Sequence, residues 1–163
     1  MDYKFYYSNN CGQDDYGLKY IDDEGYGYKC NKFKVQFPPQ HQDVQPGMEY
    51  LMYPRPIFDN PKYQGSNKLK DKVAIITGGD SGIGRAVAIS YVKEGASVVI
   101  VYLNEERDAR ETEQYINSLG GTCLLLEGDV KDKRFCEHIV NETMKKFGKI
   151  DILVNNAGVQ YQQ

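Results

Sequence analysis

The residues best suited to chemistry lie in the segment Thr77-Gly78-Gly79-Asp80-Ser81-Gly82-Ile83-Gly84. Its spacing, Gly-x-x-x-Gly-x-Gly, joins a short apolar run to a helical pattern. Glycines there let the backbone turn tightly and bring its N–H groups close to a ligand, where a Cβ would hold it off. A helix N-terminus adds free N–H donors and a positive dipole end, which favours a phosphate or diphosphate. In a strand-turn-helix context this is where a dinucleotide places its pyrophosphate. The chemistry is therefore binding rather than bond-making. No other constellation competes with it. Cys11, Cys30, Cys123 and Cys136 form no C-x-x-C pair or zinc-finger spacing. Cys136 and His138 are two apart on a predicted helix and point to different faces. Neither His41 nor His138 stands near a Ser on a nucleophile turn. No metal site and no Ser-His-Asp triad are expected.

The elements that position the turn read as alternating strands and helices from Asp71 onward. Val73 to Ile76 is the first apolar run. Ile83, Val87 and Tyr91 recur every four residues after the turn, and Gly95 suits the helix C-cap. Ser97 to Leu103 is a β-branched buried strand. A second helix is expected from about Glu105 to Leu119, with Ala109, Thr112, Ile116 and Leu119 on one face. Thr122 to Glu127 is a third strand. A third helix is expected from about Lys131 to Phe147, with Phe135, Ile139, Val140, Thr143, Met144 and Phe147 on its apolar side. Ile150 to Val154 is a fourth strand. Continuous apolar strands separated by helices predict an α/β fold with a doubly wound parallel sheet.

The glycine turn, together with Asn155-Asn156-Ala157-Gly158 after the fourth strand, resembles the short-chain dehydrogenase/reductase family over about Leu69 to Val159. Pro39-Gln40, Pro46-Gly47, Tyr63-Gln64-Gly65-Ser66 and Lys68-Leu69 are similar to the N-terminal arm of a bacterial branch that includes general-stress and glucose/ribitol-dehydrogenase-like proteins. The resemblance implies a Rossmann-type sheet, of which this chain carries the first half. It implies hydride transfer between NAD or NADP and an alcohol or carbonyl substrate. It also implies site roles. Gly78, Ser81, Gly82, Ile83 and Gly84 would surround the pyrophosphate and adjoining ribose. Asp129, followed by Val130, would hydrogen-bond the adenine amino group, and the same Asp129 could cap the helix ahead of Lys131. Asn155, Ala157 and Gly158 would line the wall behind the adenosine ribose and brace the sheet centre, although Asn155 and Asn156 could equally serve strand-to-strand bonding alone.

The cofactor preference leans slightly to NADP. NAD-preferring proteins of this architecture place an acid at the end of the second strand, and here that position is Tyr102. Arg107 could pair with a 2′-phosphate, against the repulsion of Glu105 and Glu106. The family's reacting residues, a Ser and a Tyr-x-x-x-Lys pair, lie beyond the Asn-Asn-Ala-Gly segment. The one Tyr-x-x-x-Lys spacing, Tyr28 to Lys32, precedes the nucleotide-binding unit. No residue of the chain is therefore named catalytic. The expectation is the front portion of a longer oxidoreductase, by itself inactive, poorly soluble or partly molten with its last strand as a bare edge, and weak in cofactor binding if it binds at all.

Composition divides the 163 residues into three zones. Residues 1–36 hold seven of the 14 tyrosines and almost no aliphatic side chain, so they are expected to be a disordered tail. Residues 37–70 contain all six prolines and form an extended arm, whose spaced apolar residues Met48, Leu51, Met52, Ile57 and Phe58 need a surface to lie on. Residues 71–163 are the dinucleotide-binding βαβαβαβ unit. A net charge of −3 argues against a nucleic-acid partner. The absence of a signal-type or 20-residue apolar segment argues for the cytoplasm and against a membrane. The arm suggests a homo-oligomer in an intact parent. Two other readings remain open: a non-catalytic module that docks on a full-length relative, and a Tyr-rich coat-type protein whose tyrosines cross-link.

Overall fold

The computed structural model describes residues 40–159, together with the backbone of 5–8 and 32–35. The chain forms two compact units, Met1–Gln40 and His41–Gln163. In the first unit β1 (Phe5–Ser8) pairs antiparallel with β2 (Lys32–Val35), Phe5 opposite Val35. The remainder of 1–39, and with it the expectation of a disordered tail, lies outside the described residues.

The second unit is built on a parallel sheet of β3 (Val73–Thr77), β4 (Ser97–Tyr102), β5 (Cys123–Glu127) and β6 (Ile152–Val154), in the order β5-β4-β3-β6. Between them run α1 (Gly82–Lys93), α2 (Glu106–Ser118) and α3 (Lys133–Phe147). The elements are those expected from the sequence, each shorter or longer at its ends by up to two residues. Strand alternation explains the two layers, because successive side chains face opposite ways. Ala74, Ile76, Val98 and Ile100 meet Ala88, Ile89 and Val92 of α1 and Ile116 of α2 on one face. Ile75, Val99 and Val101 meet Ile139 of α3 on the other, with Phe135 and Phe147 beside it. The order reverses direction at β3, since β4 and β6 flank it. A crevice therefore opens at the carboxyl ends of β3, β4 and β6, beside the glycine turn.

Two helix faces differ from the expected stripes. Ile83 is 77% exposed, and the buried stripe of α1 is Arg85, Ala88, Ile89 and Val92. In α3 only Ile139 and Thr143 are buried, while Val140 and Met144 are each 45% exposed. The N-cap of α3 is Asp132, which accepts from Arg134 N, and not Asp129. Asp129 instead closes a local turn by accepting from Lys131 N at 2.9 Å. Both residues can accept from an amide two positions ahead, so spacing alone did not separate them.

The arm lies on the chain's own fold. Its anchor is Glu49 on a single 3-10 turn, Glu49–Leu51. Glu49 is buried, and its carboxylate takes Arg85 Nη1 at 2.5 Å and Gly82 N at 2.6 Å. The backbone N–H groups of Glu49 and Tyr50 donate to Asp108 at 2.8 and 3.1 Å. Phe58 packs against the core beside Tyr115, with the Arg85 guanidinium over its ring. Asp59 pairs with Lys93 Nζ at 2.5 Å. The arm closes on Glu94, whose carboxylate accepts from Tyr63 OH, Ser66 N, Lys68 N and Lys68 Nζ. Leu51, Met52 and Ile57 remain exposed.

Removing one partner of a buried ion pair leaves the other charge uncompensated, which costs roughly 3–5 kcal/mol. Glu49→Ala should therefore lower the urea unfolding free energy by about that amount, and a loss under ~1 kcal/mol would contradict a buried Arg85–Glu49 pair. The donors around Glu94, Tyr63 OH first, hold its carboxyl down to about 2. A depressed carboxyl contributes stability that is complete above its ordinary value and fades as pH falls toward the folded value. Glu94→Gln should thus be less stable than the parent at pH 7, with the gap closing between about pH 5 and 2. A gap independent of pH would refute that role.

Candidate nucleotide site and family membership

A groove of about 620 Å³ opens beside the carboxyl ends of the strands. Its floor is the glycine turn and the end of β4, namely Gly78, Ser81, Ile83, Val101 and Tyr102. One wall is the turn after β5, with Gly128, Asp129, Val130 and Lys131. The other is Asn156, Ala157, Gly158 and Val159 after β6. Asp80, Leu103, Glu105 and the arm residue Pro46 complete the lining.

The turn is built to keep this space open. Gly78 has φ +64°, and a Cβ on it would come within 3.0 Å of Asn156 Nδ2. A Cβ on Gly84 would stand 1.9 Å from the Gly78 carbonyl oxygen, so α1 can seat against the turn only with glycine there. Ser81 is the N-cap residue of α1 by backbone position, with no capping bond from its side chain. Among the described residues, Gly82 N is taken by Glu49, while the amides of Ile83 and Gly84 find no acceptor. Two free amides at a helix start, beside a turn in which Gly78 and Gly84 leave no room for a Cβ, fit a diphosphate.

The sheet centre is braced by Asn156. Its Nδ2 donates to the carbonyls of Thr77 and Gly78, each at 3.0 Å. Thr77 Oγ1 accepts from Asn156 N and Ala157 N, each at 3.0 Å. The bracing expected of Asn155 thus belongs to its neighbour, and Asn155 itself is exposed and off the groove. Of the other expected residues, Gly78, Ser81, Ile83, Asp129, Val130, Ala157 and Gly158 come together on the groove. Gly82 and Gly84 shape the turn without lining it.

The end of β4 departs from expectation. Arg107 does not reach the groove: its guanidinium lies 4.2 Å over the Tyr50 ring and pairs with Glu111. Tyr102 is buried, and its phenol donates to Glu106, with burial first and this bond second raising its pKa. Glu105 is buried and lines the groove. One of its oxygens accepts from Leu103 N and Asn104 N, and the other has no partner among the described residues. Asp80 is also buried there; desolvation raises its carboxyl, and the neighbouring Glu105 and Asp108 push the same way. Sequence reasoning missed Asp80, Glu49 and Pro46 as site residues, and read Glu105 only as a charge repelling a 2′-phosphate. An acid inside the glycine turn and another at the first residue before α2 were visible signals; the two arm residues carried none. Among the described residues, no cluster of His, Cys, Asp and Glu could hold a metal ion. No helix among them is long and apolar enough to cross a membrane.

Gly84→Ala should lower stability by roughly 2 kcal/mol or more, because its Cβ meets backbone rather than a flexible side chain. Asn156→Ala, which strips two bonds from the turn, should cost about 1–2 kcal/mol. Chemical denaturation of both variants checks this, and a neutral Gly84→Ala would show that the α1–turn contact is not as tight as described.

Comparison with known proteins supports the same assignment. The short chain dehydrogenase family model matches residues 72–163. The chain is 59% identical over 134 residues to the uncharacterized oxidoreductase YhxC of Bacillus subtilis, covering 82% of this chain and 46% of that protein. It is 52% identical over 129 residues to General stress protein 39 of the same organism, covering 79% of this chain and 45% of the relative. The chain thus spans about half the length of these curated relatives. A solved hydroxysteroid dehydrogenase from Escherichia coli is similar in structure, with a TM-score of 0.54, 38% identity, and coverage of 57% of this chain and 39% of that one. With its α/β parallel sheet, its glycine turn and this family match, the chain belongs to the short-chain dehydrogenase family of oxidoreductases.

Proposed function

We propose that this chain supplies the cofactor-binding part of an oxidoreductase that moves hydride between a nicotinamide dinucleotide and a small alcohol or carbonyl substrate. The carrying observation is the groove itself, where two free helix amides and a tight glycine turn meet the ends of four parallel strands. In this reading the diphosphate lies over Ser81, Ile83 and Gly84. Asp129 and Val130 face the adenine, and Ala157 and Gly158 back the ribose. The dinucleotide carries the redox chemistry when bound. The chain's residues hold and orient it, and none of them is assigned as a catalytic acid or base. The enzyme works in the cytoplasm as a homo-oligomer, without nucleic acid or membrane.

On the 2′-phosphate that distinguishes NADP, our reading turns from NADP toward NAD. The lean to NADP rested on Arg107, which is held by Tyr50 and Glu111. Glu105 lines the groove beside Tyr102, and one of its carboxylate oxygens is buried and unpartnered among the described residues. Such an oxygen is costly unless a donor satisfies it, and a ribose hydroxyl supplies a donor where a 2′-phosphate supplies repulsion. Lys131, on the far wall, is the cation among the lining residues. The coat-type reading rests on the tail's composition, and the tail has no described side chains; the assembly-module reading needs the arm for docking, and the arm lies on the chain's own fold.

Equilibrium titration with NAD and NADP tests both points. NAD should bind more tightly. Glu105→Gln keeps an acceptor for the Leu103 and Asn104 amides and removes the charge, so it should shift the affinity ratio at least about fivefold toward NADP, on the order of 1 kcal/mol. Failure of either dinucleotide to bind would sink the functional reading. NADP binding as tightly as NAD in the parent would sink only the preference.

A further inference from the structure

The arm touches the nucleotide turn at two points. Pro46 forms part of the groove lining, and three residues later Glu49 places a carboxylate oxygen on the Gly82 amide at 2.6 Å. Gly82 has φ +50°, and a Cβ built on it would meet nothing within 4 Å. The space a side chain would take is therefore open, and the amide hydrogen bond ties this corner of the turn to the arm. The bond is held from behind: the other Glu49 oxygen takes Arg85, and Asp108 grips the backbone of Glu49 and Tyr50. Next along α1 come the Ile83 and Gly84 amides, the two that have no acceptor among the described residues.

We propose that Glu49 is a positioning residue for the cofactor diphosphate, so that seating of the arm and binding of the dinucleotide are coupled. The inference rests on the reading of the groove as a nicotinamide dinucleotide site. A carboxylate so near a diphosphate would by itself repel it. Arg85 beside one oxygen and Arg55 at 3.6 Å offset that charge. What remains is geometric: with Gly82 fixed, the next two amides are set before the ligand arrives, and pre-organisation of this kind raises affinity. Coupling between two binding events is reciprocal, so the dinucleotide must in turn hold the arm down.

Residue-resolved hydrogen exchange on the chain, with and without saturating NAD, reads that coupling. The Glu49 and Tyr50 amides exchange when the arm lifts locally from Asp108. With NAD they should slow by about tenfold, inside the range usual for coupled sites. The Ser66 and Lys68 amides provide the internal control. They belong to the same arm but hang on Glu94, at the opposite end of α1, and should slow less. Equal slowing at both places would mean general stabilisation and would overturn the proposal. So would unchanged exchange at Glu49 and Tyr50 while the Ile83 amide gains protection. If no amide from 78 to 84 responds to NAD or NADP, the nucleotide reading falls and takes this inference with it. A variant pair gives a second readout. Glu49→Ala should weaken NAD binding by about tenfold, while Glu49→Gln, which keeps an acceptor for Gly82, should recover most of it. Tighter binding by Glu49→Ala would show that the carboxylate acts by repulsion and not by position.

Discussion

A single buried guanidinium ties together the parts of this molecule that are far apart in sequence. Arg85 is 2% exposed, and each of its three guanidinium nitrogens donates a hydrogen bond. It donates to the Asp80 carbonyl in the glycine turn, to Thr112 and the Asp108 carbonyl in α2, and to Glu49 in the arm. A buried charge of this kind is tolerated only when its hydrogen bonds are all satisfied. The requirement runs both ways. The turn, α2 and the arm must each present an oxygen at the right place, and Arg85 in turn fixes where they lie. The glycine turn is therefore held from behind by charge as well as by the close seat of Gly84 on the Gly78 carbonyl.

The groove follows from that arrangement. Parallel strands end together, and β3 has neighbours on both sides whose connections leave in opposite directions, so no helix covers its carboxyl end. The turn contributes free amides because α1 starts there. Asn156 fastens the turn to the end of β6, so floor and wall move as one piece. Negative groups converge at the end of β4, where Asp80 and Glu105 are both buried. The groove thus has two helix amides unpaired among the described residues at the start of α1 and two buried carboxyls, Asp80 and Glu105, toward the end of β4.

Much of this was legible in the residues. The β-branched runs at Val73–Thr77 and Ser97–Tyr102 can be little else than buried strands, and the glycine turn between such a run and a helix has few other uses. What could not be read had physical causes. Spacing alone put Ile83 on the apolar stripe, because helical periodicity is blind to which face the first turn presents; the resemblance put it beside the pyrophosphate, and it lines the groove. Asn155 and Asn156 are chemically identical, and only the direction in which the chain leaves β6 decides which one braces the turn. Arg107 could have faced a phosphate until the arm placed Tyr50 under it. The arm itself was the least legible part. A lone Glu49 among prolines carries no periodicity, and its partners Arg85 and Asp108 are 36 and 59 residues away from the bonds they share with it.

The account stands or falls on where a dinucleotide sits. A crystal structure of the chain with NAD bound is the most direct measurement. The account predicts the diphosphate over the Ile83 and Gly84 amides, the adenine beside Asp129 and Val130, and a ribose hydroxyl within hydrogen-bonding distance of Glu105. A dinucleotide bound elsewhere on the protein, or one whose diphosphate avoids the start of α1, would contradict it.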